Sequence, residues 1–170
     1  GCVTATEDRR DKTVMDYLPD NLRRGMSPVG RLDKDTEGLL LITDDGALNH
    51  SLLAPGRHVP KTYYARIDGT VTEEDAAAFR EGGDIGDPKP TLPADLRILS
   101  SGPESEIELT ITEGRFHQVK RMFEAKGKKV LYLKRISMGS LKLDPTLAPG
   151  EYRALTVEEI RELTENKQKK

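Results

Sequence analysis

The chain has 170 residues, a formal net charge of −2 and no Trp; charged residues make up 33% of it and aromatic residues 5%. A chain of this length can bury a core without disulfides or metals, so we expect one globular domain. No apolar run approaches the roughly 20 residues that span a bilayer. The single cysteine, Cys2, excludes an internal disulfide and a cysteine-based zinc site. These features predict a cytoplasmic protein.

The charge is unevenly distributed along the chain. The net value argues against a generic nucleic-acid binder, for which a strongly basic balance is expected. From Arg115 to Arg135, however, the only acidic residue is Glu124, whereas residues 73–87 form an acidic stretch. Local asymmetry of this kind matters more for an anionic partner than the total charge does.

The first half of the chain predicts short elements around one apolar run. Residues 13–18 form a short helical or extended piece before a proline, and residues 22–30 read as a loop. The run from Gly38 to Thr43 predicts a buried central strand that ends at Asp45-Gly46. Leucines at helical spacing predict a helix over 47–54.

The second half alternates strands with helices. Alternating β-formers predict strands at 61–69, 94–99, 106–112 and 129–136, with a short strand inside 147–155. Capping boxes at Thr72 and Thr156 open helices, the first ending near Glu81. A further helix is expected over 116–125, an irregular connector over 84–93 and a frayed tail over 166–170. The pattern predicts an α+β fold with a mixed, mostly antiparallel central sheet and flanking helices.

The segment just before the apolar run concentrates charge. In an extended chain alternate side chains share a face, so Arg31, Asp33 and Asp35 point the same way. Close charges of both signs then act on Asp33. The segment is a candidate for carboxylate chemistry, and a solvated loop with incidental ion pairs is the alternative.

A second charged segment joins a predicted strand to a predicted helix at 113–123. Gly114 allows a tight turn, and helix N-termini favour anions, so the turn is a candidate phosphate contact. On the predicted helix, Val119, Met122 and Phe123 form the buried stripe. Four other side chains can then face solvent or a cleft. These are Phe116, His117, Lys120 and Arg121. A solvated basic face is an equally good interpretation.

Adjacent tyrosines mark the strand at 61–69. Tyr63 and Tyr64 must face opposite sides of a sheet, so one can join the core while the other offers a ring for stacking on a base. The three histidines lack the spacing of metal ligands, and no glycine-rich phosphate loop occurs. Neither a metal nor a cofactor is expected.

Together these segments resemble the signature segments of ribosomal RNA pseudouridine synthases. They are Gly-Arg-Leu-Asp-x-Asp-Thr-x-Gly-Leu at 30–39, Lys-Thr-Tyr at 61–63 and Glu-Gly-Arg-Phe-His-Gln-Val-Lys-Arg-Met-Phe at 113–123, and Leu-Ala-Pro-Gly-Glu-Tyr-Arg-x-Leu-Thr at 147–156 also fits. The resemblance covers nearly the whole chain and is greatest to the RsuA-like branch, that of ribosomal small subunit pseudouridine synthase A. It implies the pseudouridine synthase catalytic fold, with a cleft between two lobes, and a cofactor-free isomerase that converts uridine to pseudouridine in rRNA.

The same resemblance assigns roles to individual residues. It implies that Asp33 is the nucleophile on a flipped uridine and that Lys120 pairs with it. Tyr63 matches the tyrosine that stacks on the uracil, with a candidate role in proton transfer. Arg31 matches an arginine near the RNA backbone or the flipped base. Further candidates for RNA contact are Arg115, His117 and Arg121, while Asp35 and Glu37 are left as structural or solvated groups.

The resemblance also sets expectations for substrate and organisation. His117 favours small-subunit over large-subunit rRNA as the substrate, either free or in a partly assembled subunit, and we expect a monomer. Family members usually carry an Asn-Lys-Pro strand and a small RNA-binding domain before the segment that starts here at Gly1. Residues 1–170 are therefore expected to form a single catalytic domain without that first edge strand.

Two other classes of function remain as alternatives. One is a non-catalytic RNA-binding module of the same fold, which the joint presence of Asp33, Tyr63 and Lys120 disfavours. The other is a glycoside or nucleoside hydrolase using two of the carboxylates of Asp33, Asp35 and Glu37. The absence of an aromatic sugar platform around them, and the basic helix, disfavour that reading.

Overall fold

A computed structural model describes Cys2, Thr4 and residues 10–168. Its strands are β1 (Ser27–Pro28), β2 (Glu37–Gly38), β3 (Ile42–Thr43), β4 (Lys61–Asp68), β5 (Asp95–Ser100), β6 (Glu104–Ile111), β7 (Lys129–Met138) and β8 (Leu141–Lys142). Its α-helices are α1 (Asp20–Arg23), α2 (Gly46–Leu53), α3 (Glu73–Glu81), α4 (Gln118–Glu124) and α5 (Val157–Gln168). Short 3-10 turns lie at Val14–Tyr17 and Pro55–Arg57.

The main sheet has six strands and is mostly antiparallel, as predicted. Its order is β2-β7-β4-β6-β5, and β8 extends β7 as a hairpin. Among the described strands of this sheet, only β2 and β7 pair in parallel. The strands that the β-forming runs predicted at 61–69, 94–99, 106–112 and 129–136 are β4, β5, β6 and β7.

One face of this sheet carries the larger core. Alternate residues of β4 and β6, among them Ala65 and Ile107, are fully buried there. Helices α3 and α4 cover them, and Phe79 meets Phe123 edge to face with ring centroids 5.2 Å apart. As predicted, α3 begins at the Thr72 capping box, in which the side chains of Thr72 and Asp75 satisfy each other's backbone N–H groups.

A second, smaller core lies beside the first. It joins the two-stranded β1–β3 sheet to α2, α5 and the end of β7, and its buried members include Leu41, Leu52 and Leu163. The chain passes from the second core to the first between β1 and β2. That connection contains Asp33, so the fold places the charged segment at the boundary between the two cores.

The predicted buried central strand at 38–43 is wrong. The run is split into β2 at the edge of the main sheet and β3 in the small sheet. Gly38 has φ +110°, and a Cβ there would lie 2.1 Å from the backbone oxygen of Arg135. The chain turns away at this glycine because it packs directly on β7 and adopts a conformation that other residues avoid. Leu39 and Leu41 pack into the second core instead.

Other differences are local. The predicted loop at 22–30 contains the end of α1 and the short strand β1, and α4 begins two residues later than expected. No strand forms within 147–155, whereas β8 was not predicted. Helix α5 continues to Gln168 where a frayed tail was expected, and residues 169 and 170 lie outside the described part of the chain. No helix in the described residues is long and apolar enough to cross a membrane.

Candidate functional site

The Asp33 loop is held in place from both sides. The Thr4 hydroxyl donates to the carbonyl of Leu32 at 3.1 Å and accepts from its N–H at 3.2 Å. The Thr36 N–H donates to the Asp33 carbonyl at 2.8 Å and closes a turn. This turn fixes the backbone at Asp33. The side chain of Asp33 is 28% exposed, so its carboxylate is accessible to a ligand.

Two basic side chains from the start of α4 reach this carboxylate. His117 Nε2 lies 3.5 Å from Oδ1 of Asp33, and Lys120 Nζ lies 3.7 Å from Oδ2. The fold therefore brings together three of the predicted site residues from segments more than 80 positions apart in the sequence. The acidic loop and the basic turn form one site at the boundary between the two cores.

Asp35 belongs to this site, which the sequence reasoning missed. Lys120 donates a 2.6 Å hydrogen bond to Oδ1 of Asp35, much shorter than its approach to Asp33. That hydrogen bond lowers the pKa of Asp35 below its ordinary value. Lys120 thus pairs with Asp35 as well as with Asp33. Asp35 was expected to be a structural or solvated group; its side chain is 74% exposed, and its bond to Lys120 joins the acidic loop to α4. The side-chain alternation that placed Asp33 and Asp35 on one face was the available signal.

Glu37 also has a partner. The hydroxyl of Tyr132 donates to Oε2 of Glu37 at 2.8 Å, which ties β2 to its neighbour β7. Burial and the bond to Glu37 raise the pKa of Tyr132 to about 12. Glu37 therefore keeps the structural role that was expected for it.

The two adjacent tyrosines face opposite sides of the main sheet, as predicted. Tyr63 is half-buried against the larger core, on the side covered by α4, the helix that carries Lys120. Tyr64 lies on the open side and meets Tyr132 edge to face at 6.1 Å. Of the two rings, only that of Tyr63 is on the same side as the helix of the candidate site.

Two buried cations lie next to Tyr63 on the sheet. Arg135, its cross-strand neighbour in β7, is 2% exposed; its Nε donates to the Leu39 carbonyl at 2.9 Å, while its Nη2 has no partner among the described residues. Lys61, two residues before Tyr63, is 5% exposed. Burial is the larger cause of the lowered pKa of Lys61, and the positive charge of Arg135 lowers it further. The sequence offered no sign of this pair, because charge alone does not reveal burial.

The arginines predicted to contact RNA differ in their surroundings. Arg31 is exposed. Arg115 donates to Glu113, to Asp87 and to the carbonyls of Lys89 and Pro90. Arg121 donates to Asp87 at 2.9 Å and to the carbonyl of Phe116 at 2.7 Å. The hydrogen bond from Arg121 is the largest cause of the lowered pKa of Asp87, and the bond from Arg115 adds to it.

This arrangement gives the two arginines of the basic turn an internal task. Both tie the turn at 113–117 to the connector at 84–93, and the Arg115 N–H is itself capped by the Gln118 side chain at 3.0 Å. Most of their donors are occupied, so their contact with RNA stays a prediction. Within the described residues, no three side chains of the metal-binding types gather into a cluster.

A family model described as RNA pseudouridylate synthase matches residues 1–125. The chain belongs to this family. It is 50% identical over 167 residues to "Uncharacterized RNA pseudouridine synthase YtzG" of Bacillus subtilis, covering 97% of this chain and 70% of that protein. It is 43% identical over 161 residues to "Ribosomal small subunit pseudouridine synthase A" of Salmonella typhimurium, and this match covers 94% of this chain and 68% of that protein. The predicted membership of the RsuA-like branch of pseudouridine synthases is confirmed.

The fold comparison agrees with the sequence comparison. A solved structure titled "Crystal structure of pseudouridylate synthase" superposes with a TM-score of 0.90 at 43% identity, covering 96% of this chain and 69% of that one. The predicted pseudouridine synthase fold is therefore confirmed.

Proposed function

We propose that this pseudouridine synthase isomerises a specific uridine to pseudouridine in small-subunit ribosomal RNA. The observation that carries the proposal is the 43% identity, over 94% of the chain, to a protein named ribosomal small subunit pseudouridine synthase A. The site supports it because a partly exposed carboxylate beside basic groups suits a reaction on an anionic polymer. The alternative within the family is an enzyme for large-subunit rRNA.

Asp33 is the proposed nucleophile on a uridine flipped out of the RNA. The bond between ribose C1′ and uracil N1 breaks, the uracil turns, and C5 takes the place of N1 on C1′. N1 gains a proton and C5 releases its hydrogen to solvent, so the reaction is an isomerisation that consumes nothing. A carboxylate forms the covalent intermediate that divides such a step into two easier ones.

The neighbours of Asp33 suit this role. Lys120 attracts the carboxylate from 3.7 Å, beyond hydrogen-bond distance, while its close contact is to Asp35. The lone pairs of Asp33 therefore stay available for attack. Tyr63, on the α4 side of the sheet, is proposed to stack on the uracil and to take part in proton transfer, and exposed Arg31 to bind the RNA backbone. His117 is proposed to contact the RNA beside Asp33.

We further propose that residues 1–170 act as one catalytic domain and as a monomer in the cytoplasm. The two cores share β7 and the Asp33 connection, which supports a single unit. The substrate is proposed to be rRNA either free or within a partly assembled small subunit.

Release of tritium from RNA labelled at uridine C5 tests the function, because C5 loses its hydrogen only when it joins C1′. The protein is incubated with small-subunit and large-subunit rRNA transcripts in parallel, and the product is mapped by primer extension after carbodiimide treatment. We expect release from small-subunit RNA at one mapped position. Release from large-subunit RNA alone would reassign the substrate, and release from neither, with free RNA and assembling particles both supplied, would contradict the proposal.

A further inference from the structure

Phe116 is the most exposed aromatic side chain among the described residues, at 76%, while the other two phenylalanines are 5% and 0% exposed. A single exposed apolar residue is common on protein surfaces and needs no explanation by itself. The position of Phe116 does need one, because it lies directly beside the candidate site and on a rigid turn.

The ring of Phe116 is stacked on a site residue. Its centroid lies 3.9 Å from that of His117, with 14° between the ring planes. His117 in turn approaches the Asp33 carboxylate to 3.5 Å through Nε2. His117 also has φ +46°, a left-handed conformation that is uncommon outside glycine. One face of the Phe116 ring is thus covered by His117, and the exposed fraction shows that the other is open.

The backbone under this stack is held by arginines. Arg121 Nε donates to the Phe116 carbonyl at 2.7 Å, and Arg121 is anchored to Asp87. Arg115, the residue before Phe116, is anchored to Asp87 and to two carbonyls of the same connector. The exposed ring is therefore presented by a fixed turn, and a fixed flat surface loses little freedom when a ligand stacks on it.

We propose that the open face of Phe116 is a stacking platform for the nucleobase next to the target uridine. The inference rests on the proposed function and goes beyond it, since it assigns to Phe116 a contact with the nucleotide adjacent to the reacting uridine. When a uridine leaves the stack, its neighbour loses a stacking partner, and an aromatic ring beside the site replaces it. Phenylalanine offers no hydrogen bond, so the contact tolerates any base and acts through affinity.

The test uses an oligoribonucleotide with 2-aminopurine placed on the 5′ or the 3′ side of the mapped uridine. Stacking quenches its fluorescence, so the signal reports the contact without requiring turnover. We expect quenching on binding by the wild type and by Phe116→Tyr at one of the two positions, and its loss with Phe116→Ala. The KM for pseudouridine formation should rise about 5- to 150-fold in Phe116→Ala, with kcat changed much less.

Leu99→Ala is the matched control. Leu99 is 42% exposed on β5, at the opposite edge of the main sheet from β2, so its truncation removes exposed apolar surface away from the site. Wild-type quenching and KM in Phe116→Ala would overturn the inference, as would an effect seen only on a partly assembled particle, which would indicate a protein contact. A wild type that forms pseudouridine at the mapped position but quenches the probe on neither side of it would contradict this inference and leave the proposed function intact.

Discussion

Lys120 donates a 2.6 Å hydrogen bond to Asp35, a residue 85 positions earlier in the chain. This bond closes the basic start of α4 onto the acidic loop between the two cores. It also fixes the ammonium group 3.7 Å from Asp33, close enough to attract that carboxylate and too far to hydrogen-bond with it. Asp35 thus positions Lys120, and Asp33 keeps its lone pairs free for the nucleophilic role that we propose for it.

Replacement of Lys120 should impair catalysis more than folding. Lys120→Met keeps the length of the side chain and removes its charge, so the attraction on Asp33 is lost. We expect the rate of tritium release to fall about 100-fold, with the thermal unfolding midpoint little changed. Lys120→Arg, which keeps the charge, is the control and should retain much of the activity. A wild-type rate in Lys120→Met would remove Lys120 from the site.

Gly38→Ala should disrupt the attachment of β2 to β7. The new Cβ would lie 2.1 Å from the Arg135 carbonyl oxygen at a residue with φ +110°, so both the pairing and the loop that carries Asp33 must shift. We expect a loss of about 2–4 kcal/mol in the free energy of unfolding, measured by urea titration, together with lost activity. Gly46→Ala, where a Cβ has open space, is the control and should be neutral. Equal stability of the two variants would contradict this account of the glycine.

Lys61→Met should stabilise the protein at neutral pH. Lys61 is 5% exposed, beside Arg135, and its only hydrogen bond in the described contacts is a 3.5 Å approach to the Val59 carbonyl. Removing this buried charge should raise the free energy of unfolding by about 1–2 kcal/mol, whereas Lys142→Met, at an exposed lysine, should change it little.

The same variant has a defined pH dependence. The pKa of Lys61 is lower in the folded protein than in the unfolded chain, so the unfolded chain binds more protons at alkaline pH. The destabilising effect of Lys61 is present at neutral pH and is lost as the pH rises toward about 10.4, the unfolded value. The advantage of Lys61→Met over the wild type should therefore shrink between pH 8 and pH 10; an advantage that grew over that range would contradict the burial argument.

The last helix should be sensitive to acid through Glu159. Hydrogen bonds from Arg153, at 2.8 and 2.9 Å, lower the pKa of Glu159 to about 2, and Glu159 also accepts from the Thr156 N–H in the predicted capping box. Since this pKa is lowered, the stabilisation is complete above the unfolded value of about 4.3 and is lost as the pH falls toward about 2.

We expect Glu159→Gln to be less stable than the wild type at pH 6, and the difference in the free energy of unfolding to close as the pH falls from about 4 toward 2. Glu158→Gln is the control, because within the described part of the chain the ion pair of Glu158 is with exposed Arg161 on the same helix. A difference between wild type and Glu159→Gln that stays constant down to pH 2 would show that the carboxylate charge is not what anchors α5.

Local sequence rules predicted the parts of the fold that local chemistry determines. Alternating β-formers located β4 and β6, and the Thr72 capping box located the start of α3. The run at 38–43 failed because the split at Gly38 depends on contact with Arg135, almost 100 residues away. A short apolar run looks the same in a central strand and in a chain that crosses between two cores.

The candidate site shows the same limit. Asp33, His117 and Lys120 were found by the resemblance and are brought together by the fold. The resemblance implied the pairing of Lys120 with Asp33, but its hydrogen bond to Asp35 was not predicted. The partners of Arg115 and Arg121 were not predicted either, because ion pairs such as Arg121–Asp87 join segments distant in the sequence. Burial of Lys61 and Arg135 likewise depends on the packed sheet.

The central claim is that Asp33, and not its neighbour Asp35, is the nucleophile. Both carboxylates lie near Lys120 and either could be assigned from charge alone, so Asp33→Asn and Asp35→Asn form a matched pair. The single measurement is the rate of tritium release from C5-labelled small-subunit rRNA under saturating enzyme. We predict no release above background for Asp33→Asn, with RNA binding retained, and a reduced but measurable rate for Asp35→Asn. Turnover by Asp33→Asn, or its abolition only in Asp35→Asn, would contradict the account.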